Sequence, residues 1–512
     1  MTSTLLRRCV MSAPDPRRWW ALAAMVASLL VLGFDMTILN VALPAMAEQL
    51  GATTGEQQWM ADGYVVVFAA LMLPAGLVGD RFGRRRMLVA GLGVFLAGSL
   101  LGALADDVTT VIAARAAMGV GAAFVMPLGM AVVPSLFAAE ERAKAVGIVT
   151  AASALGLPLG PVVGGWLLDH FWWGSVFVVN IPMVAIGITA CLFLLPETRD
   201  PAAPRVGVLS TALTATGLGA LIYGIIEAPV RGWTDPVVLG ALAAATVLIA
   251  ALVVREKRSE RPMLDMGLLA DRSFLLNTLT VTLAMFVLAG LMFVLPPYLQ
   301  AVLGNDAFGT GVRMLPLMGG LIVAAKGSAP LAERFGARAV ITAGLVVLAF
   351  AGFLGSRVTV DSGYGFTALW LSVAGLGFGF SMVPAMTAAI DTLPPDRAGS
   401  GSGLLTTVRQ VGSAIGIALI GSLLAAVYES RLPAGAPDAA GDSVVAAHLL
   451  GDPVLTAAAD AAYTRGMGTV LLVSGTAALI TALLAAALLP KPGSAPAAVT
   501  PDVAGAAADA RQ

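Results

Sequence analysis

The chain has 512 residues, of which 58% are hydrophobic and only 12% are charged. Because ordinary soluble domains carry about 25% charged residues, this composition cannot cover a water-exposed surface and indicates an integral membrane protein. The formal net charge of −1 does not by itself indicate a partner, and we expect no nucleic acid to bind.

Metal, redox and ATP chemistry have no support in the sequence. The two cysteines, Cys9 and Cys191, are far apart, and His170 and His448 stand alone, so neither a disulfide framework nor a metal site is expected. None of the four lysines follows a glycine, which excludes the GxxxxGK[ST] loop that holds ATP phosphates. We therefore expect no cofactor and no enzymatic activity.

Fourteen apolar segments, each of about 18–25 residues, predict an all-α polytopic membrane protein. The first segment is too long for a cleavable signal peptide and is interpreted as a retained helix. The segments lie at 20–44, 58–78, 87–105, 109–131, 146–168, 175–195, 207–227, 236–254, 275–297, 309–329, 339–356, 366–388, 404–427 and 467–489.

The positions of lysine and arginine predict the orientation of these helices. If the N-terminus is cytoplasmic, 23 of the 30 basic residues fall in cytoplasmic segments, with Arg409 counted at the cytoplasmic end of its helix. Five fall in outer loops, while Arg115 and Lys326 lie within helices. We expect both termini to be cytoplasmic, and the side chains of Lys326 and Arg409 to extend to the membrane interface.

An internal repeat predicts two similar halves. The sequence GDRFGRRRM at 79–87, after helix 2, is repeated as AERFGARAV at 332–340, after helix 10. Helices 1 to 6 therefore correspond to helices 9 to 14, and helices 7 and 8 form an inserted pair. The predicted units are a cytoplasmic N-terminal segment (1–19), a six-helix bundle (20–195), a cytoplasmic linker (196–206), the inserted pair (207–254), a second cytoplasmic linker (255–273), a second six-helix bundle (274–489) with an outer loop at 428–466, and a disordered cytoplasmic tail (490–512).

Four charged residues are candidates for function. Asp35 lies within helix 1 and Arg115 within helix 4, and a charge there costs about 2.5–3.5 kcal/mol, so it needs a partner, a cavity or a proton. Their similar depth predicts an ion pair that protonation of Asp35 would loosen. The alternative is a structural aspartate bonded to a neighbouring helix. Asp62 and Glu227 lie near the outer ends of helices 2 and 7, where each can instead be a solvated helix end.

Four stretches resemble motifs of the major facilitator superfamily, and more narrowly of its fourteen-helix drug/proton antiporters. FDMTILNVALP at 34–44 is similar to their helix 1 motif, and Arg115 with Gly119 and Gly121 resembles their helix 4 motif. The gate motif of the loop after helix 2 is matched by Gly76, Asp80, Arg81, Gly83, Arg84 and Arg85, and its second copy keeps Glu333, Arg334 and Gly336. The antiporter motif of helix 5 is matched by Gly156, Gly160, Pro161, Gly164 and Gly165.

The resemblance implies a proton-coupled exporter that moves lipophilic small molecules or antibiotics across the plasma membrane by alternating access. It assigns proton or substrate coupling to Asp35, Asp62, Arg115 and Glu227. The gate motif would join the two halves on the cytoplasmic side, although its arginines alone could simply set topology. The antiporter motif would seal the pathway against leak, although a GxxxG spacing alone can be plain packing. The implied partners are protons, a lipophilic substrate and the bilayer, and we expect a monomer.

Departures from the family pattern limit this interpretation. The second gate copy has Ala337 where the first has Arg84, which predicts a weaker contact, and the apolar body of helix 13 carries no acid, which argues against broad cation specificity. Two other functions stay open. One is a proton-coupled or facilitative transporter of another metabolite, against which the antiporter motif argues, and the other is a non-transporting membrane sensor or scaffold.

Overall fold

The computed structural model of the protein describes residues 17–137, 141, 156, 159–199, 207–259, 267–393 and 398–489. Across this part of the chain the long elements are fourteen α-helices, and no strand is present. The first half contains α1 (Arg17–Leu50), α2 (Thr54–Phe82), α3 (Arg84–Ala103), α4 (Val108–Leu136), α5 (159–170 in its described part) and α6 (Asn180–Leu194). The rest contains α7 (Val208–Arg231), α8 (Pro236–Arg258), α9 (Arg272–Pro297), α10 (Ala307–Phe335), α11 (Ala337–Gly355), α12 (Tyr364–Asp391), α13 (Ala398–Arg431) and α14 (Pro453–Leu488).

Most of these helices can cross a membrane. Within the described residues, twelve are long and apolar enough, and α2 becomes the thirteenth when its two parts, bent by 53° before Pro74, are counted as one span. A proline inside a helix removes a hydrogen bond and commonly causes such a bend. Most of the predicted fifth span, 146–168, lies outside the described residues, so the number of fourteen spans stays a prediction.

The helices form two bundles with an inserted pair beside them, as the internal repeat predicts. In the N-terminal bundle α2, α3 and α1 pack on α4, and α6 packs on α1 and α3. In the C-terminal bundle α12 packs on α10 and α11, and α9 packs on α13. The inserted helices α7 and α8 pack on each other, and α7 also contacts α2 and α13, one from each bundle. The inserted pair therefore packs against the junction between the bundles.

Turn and cap residues explain where many helices begin and end. Gly83 and Gly336 have positive φ values of 114° and 84° and separate α2 from α3 and α10 from α11 at equivalent places of the repeat. Glycine adopts these conformations without the cost that a Cβ imposes. Aspartate side chains accept hydrogen bonds from free backbone amides at the start of four helices, α8, α9, α10 and α14.

The largest difference from the predicted boundaries is at the start of α14. The predicted outer loop 428–466 is shorter in the structure, because α13 continues to Arg431 and α14 begins at Pro453. Asp452 caps the helix and Pro453 occupies its first turn, a favourable start that extends through the polar residues before the apolar span. Two short helices, Asp438–Asp442 and Val444–Leu449, occupy the remaining loop.

Several predicted segments fall outside the described residues. These are the N-terminal segment up to residue 16, residues 200–206 of the first linker, residues 260–266 of the second linker, and the tail from residue 490.

Candidate functional site

The structure brings Asp35 of α1 and Arg115 of α4 together as a buried ion pair. The Arg115 Nη1 atom donates to Asp35 Oδ2 over 2.6 Å, and each side chain is only 2% exposed. The second carboxylate oxygen, Oδ1, accepts a hydrogen bond of 3.0 Å from Nδ2 of Asn180 at the start of α6. Three helices of the N-terminal bundle therefore meet at one carboxylate.

The guanidinium of Arg115 is held from α2 as well. Its Nε donates to the Met60 carbonyl over 3.2 Å, and its Cζ lies 4.5 Å from the centre of the Tyr64 ring, a distance suited to a cation–π contact. These contacts keep the arginine in place whether or not Asp35 is charged. A change in the charge of Asp35 would therefore alter the field at a fixed cation.

Arg115 also lines a cavity between the two bundles. The cavity is walled by α1, α2 and α4 on one side and by α9 and α13 on the other. Its apolar wall includes Met36, Met285 and Met292, and its polar wall includes Asn40 and Ser413. Methionine side chains are flexible and polarizable and adapt to ligands of different shape. The cavity therefore presents a mostly apolar wall next to a fixed charge.

The other two predicted coupling residues lie elsewhere. Asp62 of α2 is fully buried, and neither of its carboxylate oxygens has a hydrogen-bond partner among the described residues. It lies one turn after Gln58, which contacts α13. Glu227 lies near the end of α7, is partly exposed, and pairs with Arg231 at 2.7 Å. The structure does not bring Glu227 into the Asp35 site. Its partner is Arg231, a residue of the same helix.

The antiporter motif packs against the turn of α1 that carries Asp35. A Cβ on Gly160 would lie 2.0 Å from the Thr37 Oγ1 atom, and one on Gly156 would lie 2.9 Å from the Phe34 backbone nitrogen. A Cβ on Gly164 would lie 2.5 Å from Ile38 Cγ1. Only glycine permits this approach, so the motif fixes α5 on the residues that flank Asp35.

The remaining motif residues contact the opposite bundle. A Cβ on Gly165 would lie 2.3 Å from the Ala307 carbonyl oxygen at the start of α10, and one on Gly311 would lie 2.1 Å from the Pro161 carbonyl oxygen. The Asp169 carboxylate accepts hydrogen bonds of 3.2 and 3.1 Å from the first amides of α10, those of residues 307 and 308. The antiporter motif thus contacts α1 with one face and closes against α10 with the other.

Further contacts join the bundles at the same end, which the charge distribution predicts to be the outer one. Gln58 Nε2 donates to the carbonyl oxygens of Ile417 and Ala418 in α13, over 3.1 and 2.8 Å. Gln300, after α9, donates to the Val41 carbonyl over 2.9 Å. Together with the α5–α10 contact they form the outer seal, a name used below for these three contacts.

The gate motif forms an ion-pair network at the other end of the N-terminal bundle. Asp80 accepts a hydrogen bond of 2.7 Å from Arg84, and Arg85 Nη1 donates to the Leu195 carbonyl over 3.2 Å. Glu197 lies 3.8 Å from Arg85 and 3.6 Å from Arg86, and a Cβ on Gly83 would lie 2.5 Å from its Oε1 atom. Arg81 instead lies over the ring of the adjacent Phe82. The motif therefore fastens the α2–α3 turn to the end of α6.

The second gate copy repeats this arrangement in part. Arg338, which corresponds to Arg85, donates from Nη1 to the Leu489 carbonyl over 2.9 Å, just as Arg85 does to Leu195. Arg334 lies over the ring of Phe335, as Arg81 lies over Phe82. Glu333 is exposed and makes no ion pair in the described part of the chain.

Sequence reasoning did not mark Gly79 and missed four partners. The close approach of α2 to α4 occurs at Gly79, where a Cβ would lie 2.1 Å from Leu128, whereas at Gly76 the nearest atom would be 3.8 Å away. The missed partners are Asn180, Glu197, Gln58 and Arg338. Asn180 could have been found from its place in the family pattern FxxNxP, and Arg338 from the repeat, but nothing local in the sequence marks Glu197 or Gln58.

Changing Asp80 to Asn should impair transport without unfolding the protein. The Asp80–Arg84 pair is about one-third exposed, so its loss should cost less than about 1 kcal/mol of stability. A coupling of about 1–3 kcal/mol between the gate and the transport cycle would lower the initial transport rate about tenfold. Transport assays in vesicles with equal protein content measure this, with Asp361→Asn, an exposed acid outside the gate, as the control. Unchanged transport in Asp80→Asn would remove the gate from the cycle.

The fold and the site together define a membrane transporter, in which two repeated bundles enclose a cavity with a charged residue on its wall. The family model described as Major Facilitator Superfamily matches residues 25–417, and the chain belongs to this superfamily. The resemblance seen in the motifs is thereby confirmed.

Relatives of similar length carry names that refer to drug resistance. The chain is 33% identical over 447 residues to the multidrug resistance protein Stp of Mycobacterium tuberculosis, covering 86% of this chain and 82% of the relative. It is 30% identical over 490 residues to the tetracenomycin C resistance and export protein of Streptomyces glaucescens, covering 92% and 91%. It is 35% identical over 415 residues to the puromycin resistance protein pur8 of Streptomyces alboniger, covering 80% and 82%.

Solved transporter structures share the fold. A bacterial homologue of the human lysosomal transporter Spinster, in an inward-facing and occupied conformation, aligns with a TM-score of 0.68 at 17% identity. The alignment covers 94% of this chain and 100% of that chain. At this identity the likeness supports the fold alone.

Proposed function

We propose that the protein is a proton-coupled exporter of lipophilic small molecules, acting as a multi-pass protein of the plasma membrane with both termini in the cytoplasm. The observation that carries the proposal is the buried Asp35–Arg115 pair, in which Arg115 lines the inter-bundle cavity. The names of the relatives, which refer to resistance and export, support export of antibiotic-like compounds. Such a transporter needs no cofactor and no enzymatic step.

The pair supplies a means of coupling. While Asp35 is ionised, it neutralises Arg115 and both groups are satisfied by hydrogen bonds. A proton on Asp35 would remove its negative charge and weaken its contact with Arg115. The charge of Arg115 would then face the cavity without a counter-ion. Because breaking a buried ion pair costs about 3–5 kcal/mol, protonation could shift the balance between two transporter conformations.

The antiporter motif offers a route from the pair to the outer seal. Gly156, Gly160 and Gly164 fix α5 to the turn of α1 that carries Asp35, while Gly165 closes against α10. A shift of that turn on protonation would therefore move α5 and open or close the outer seal. This arrangement is a two-state element that both the proton and the substrate can bias.

Asp62 is the second acid that this mechanism uses. An ionised carboxylate without hydrogen-bond donors is costly inside a membrane, so the buried position of Asp62 suits a group that takes up a proton or faces a bound cation. Glu227 has no such role in the proposal, since it pairs with Arg231 at a partly exposed helix end.

The energetics are sufficient without ATP. One charge that crosses a potential of 100 mV provides about 2.3 kcal/mol, which corresponds to a roughly 50-fold substrate gradient. A single proton per cycle could therefore protect a cell, and nothing beyond the membrane potential and pH gradient is required.

A resistance panel in a bacterial host that lacks its own pumps tests the proposal. Expression should raise the inhibitory concentration of at least one lipophilic antibiotic about fourfold or more, and an uncoupler should abolish the difference in cellular accumulation. The control is the same host with the empty vector. Export that survives the uncoupler but stops on ATP depletion alone, or no change with any compound, would contradict proton-coupled export.

A further inference from the structure

A second group of polar side chains, three of them buried and one partly exposed, lies in the C-terminal bundle, away from Asp35. It consists of Asn277 and Thr278 on α9 and Arg409 and Gln410 on α13, and is called the α9–α13 polar cluster below. Asn277, Thr278 and Gln410 are each at most 2% exposed. The Arg409 Nε atom, the Thr278 hydroxyl, the Asn277 Oδ1 atom and both amide atoms of Gln410 are buried without a hydrogen-bond partner among the described residues.

The register of α9 against α13 places these four residues at one level. A Cβ on Gly412 would touch Thr282, and one on Gly416 would touch Phe286, so positions that differ by 130 lie side by side in two parallel helices. The same offset sets the two α9 members of the cluster beside residues 407 and 408, next to Arg409. The five unpartnered polar atoms therefore belong to residues at one level of the two helices.

The cluster continues the wall of the inter-bundle cavity. Arg409 lies one helical turn before Ser413 and two turns before Ile417, both of which line the cavity, so the three share a helix face. On α9, Thr278 lies two turns before Met285, another lining residue. The cluster thus lies next to the cavity, towards its predicted cytoplasmic end.

The positive charge of this cluster, that of Arg409, has no counter-ion among the described residues. The buried acids of the described chain are Asp35, Asp62 and Glu256, none of which belongs to the C-terminal bundle, and Arg409 makes no ion pair with any described residue. Its Nε atom is buried, while the side chain as a whole is partly exposed, so the predicted extension to the interface stays a prediction. A guanidinium keeps its charge under all conditions in proteins, so this partly exposed and unpaired one is available to an anion.

We propose that the α9–α13 polar cluster binds the acidic group, a carboxylate or phenolate, of an amphiphilic substrate whose apolar body occupies the adjoining cavity. This inference rests on the proposed exporter function and adds a substrate class to it. The planar fork of Arg409 fits a carboxylate with two parallel hydrogen bonds, and the Gln410 amide offers further donors. The methionine-rich wall of the cavity accepts ring systems of varied shape.

Binding of two fluorescent probes to the purified full chain tests the charge preference. The probes are 9-anthracenecarboxylate and 9-anthracenemethanol, which share a ring system and differ in the acidic group. Wild type should bind the carboxylate about tenfold more tightly than the alcohol, and Arg409→Gln should remove this preference while changing alcohol binding less than about twofold. Arg409→Lys should keep most of it, because the positive charge remains. Arg313→Gln, which removes an arginine that contacts Tyr364 outside the cavity, is the matched control.

Each result decides the matter. The proposal would be overturned if wild type showed no preference for the carboxylate, or if Arg409→Gln lost affinity equally for both probes. The wild-type comparison can be made even if the variant does not fold. Failure of the exporter function itself would look different, because transport of every compound in the resistance panel would then be absent while carboxylate binding persisted. If only the substrate class is wrong, gradient-driven transport would be intact and Arg409→Gln would not change the preference between the two probes.

Discussion

Replacing Asp35 with Asn should abolish gradient-driven export, lowering its initial rate about 20-fold or more, while the protein still inserts and folds. Asparagine can still accept a hydrogen bond from Arg115, which lies 2.6 Å from the carboxylate in wild type, and can still contact Asn180. It cannot gain or lose a proton, so the state of the pair no longer follows the proton gradient. Uptake into everted vesicles on imposition of a pH gradient measures the effect.

Two controls separate coupling from stability. Asp361→Asn changes an exposed loop acid and should leave transport unchanged. The double variant Asp35→Asn with Arg115→Gln removes both charges, so it should recover part of any stability lost in the single variant, because no unpaired buried cation remains. It should not recover coupled transport. Restored coupling in the double variant would mean that the acid acts through stability alone.

Enlarging Gly311 to Val should break the outer seal and stop the transport cycle. A single Cβ at this position would lie 2.1 Å from the Pro161 carbonyl oxygen, a backbone atom that cannot move without shifting α5. We expect transport to fall about tenfold or more, since the closed form would need a helix displacement that costs on the order of 1–3 kcal/mol. The matched control lies on the same helix: a Cβ on Gly319 meets nothing within 4 Å, so Gly319→Val should be nearly neutral.

Chemical labelling from the outer side distinguishes a broken seal from misfolding. In a background without reactive cysteines, Ser413→Cys places a thiol on the cavity wall. A membrane-impermeant maleimide added to right-side-out vesicles should label this thiol faster in Gly311→Val than when Gly311 is unchanged or when the control Gly319→Val is present. An unchanged labelling rate in Gly311→Val, with normal transport, would show that this contact does not seal the pathway.

Features that depend on spacing along a helix could be predicted from the sequence. Membrane helices have a fixed rise per residue, so the depths of Asp35 and Arg115 can be compared by counting residues from the helix ends, and the two side chains do meet. The repeat predicts two bundles because the same motif after the second helix of each half implies the same turn there. Gly83 and Gly336, at this turn in the two halves, do have similar conformations.

Features that depend on contacts between distant helices were not predictable. Glu197 follows a span as an ordinary polar residue, and only the packing of α6 under the α2–α3 turn brings it to Arg85 and Arg86. The distance of Arg409 from its helix end predicts an interfacial side chain, whereas packing of α13 on α9 buries its Nε atom. The early start of α14 was hidden because Asp460 and Arg465 interrupt the apolar residues of its first turns.

Proton release on substrate binding tests the central claim, that Asp35 exchanges a proton against substrate. The compound identified by the resistance panel is added to purified protein in weakly buffered detergent solution that contains a pH indicator. Wild type should release about one proton more per bound molecule than the Asp35→Asn variant, which should bind the same compound. Equal proton release from the two proteins would contradict the account.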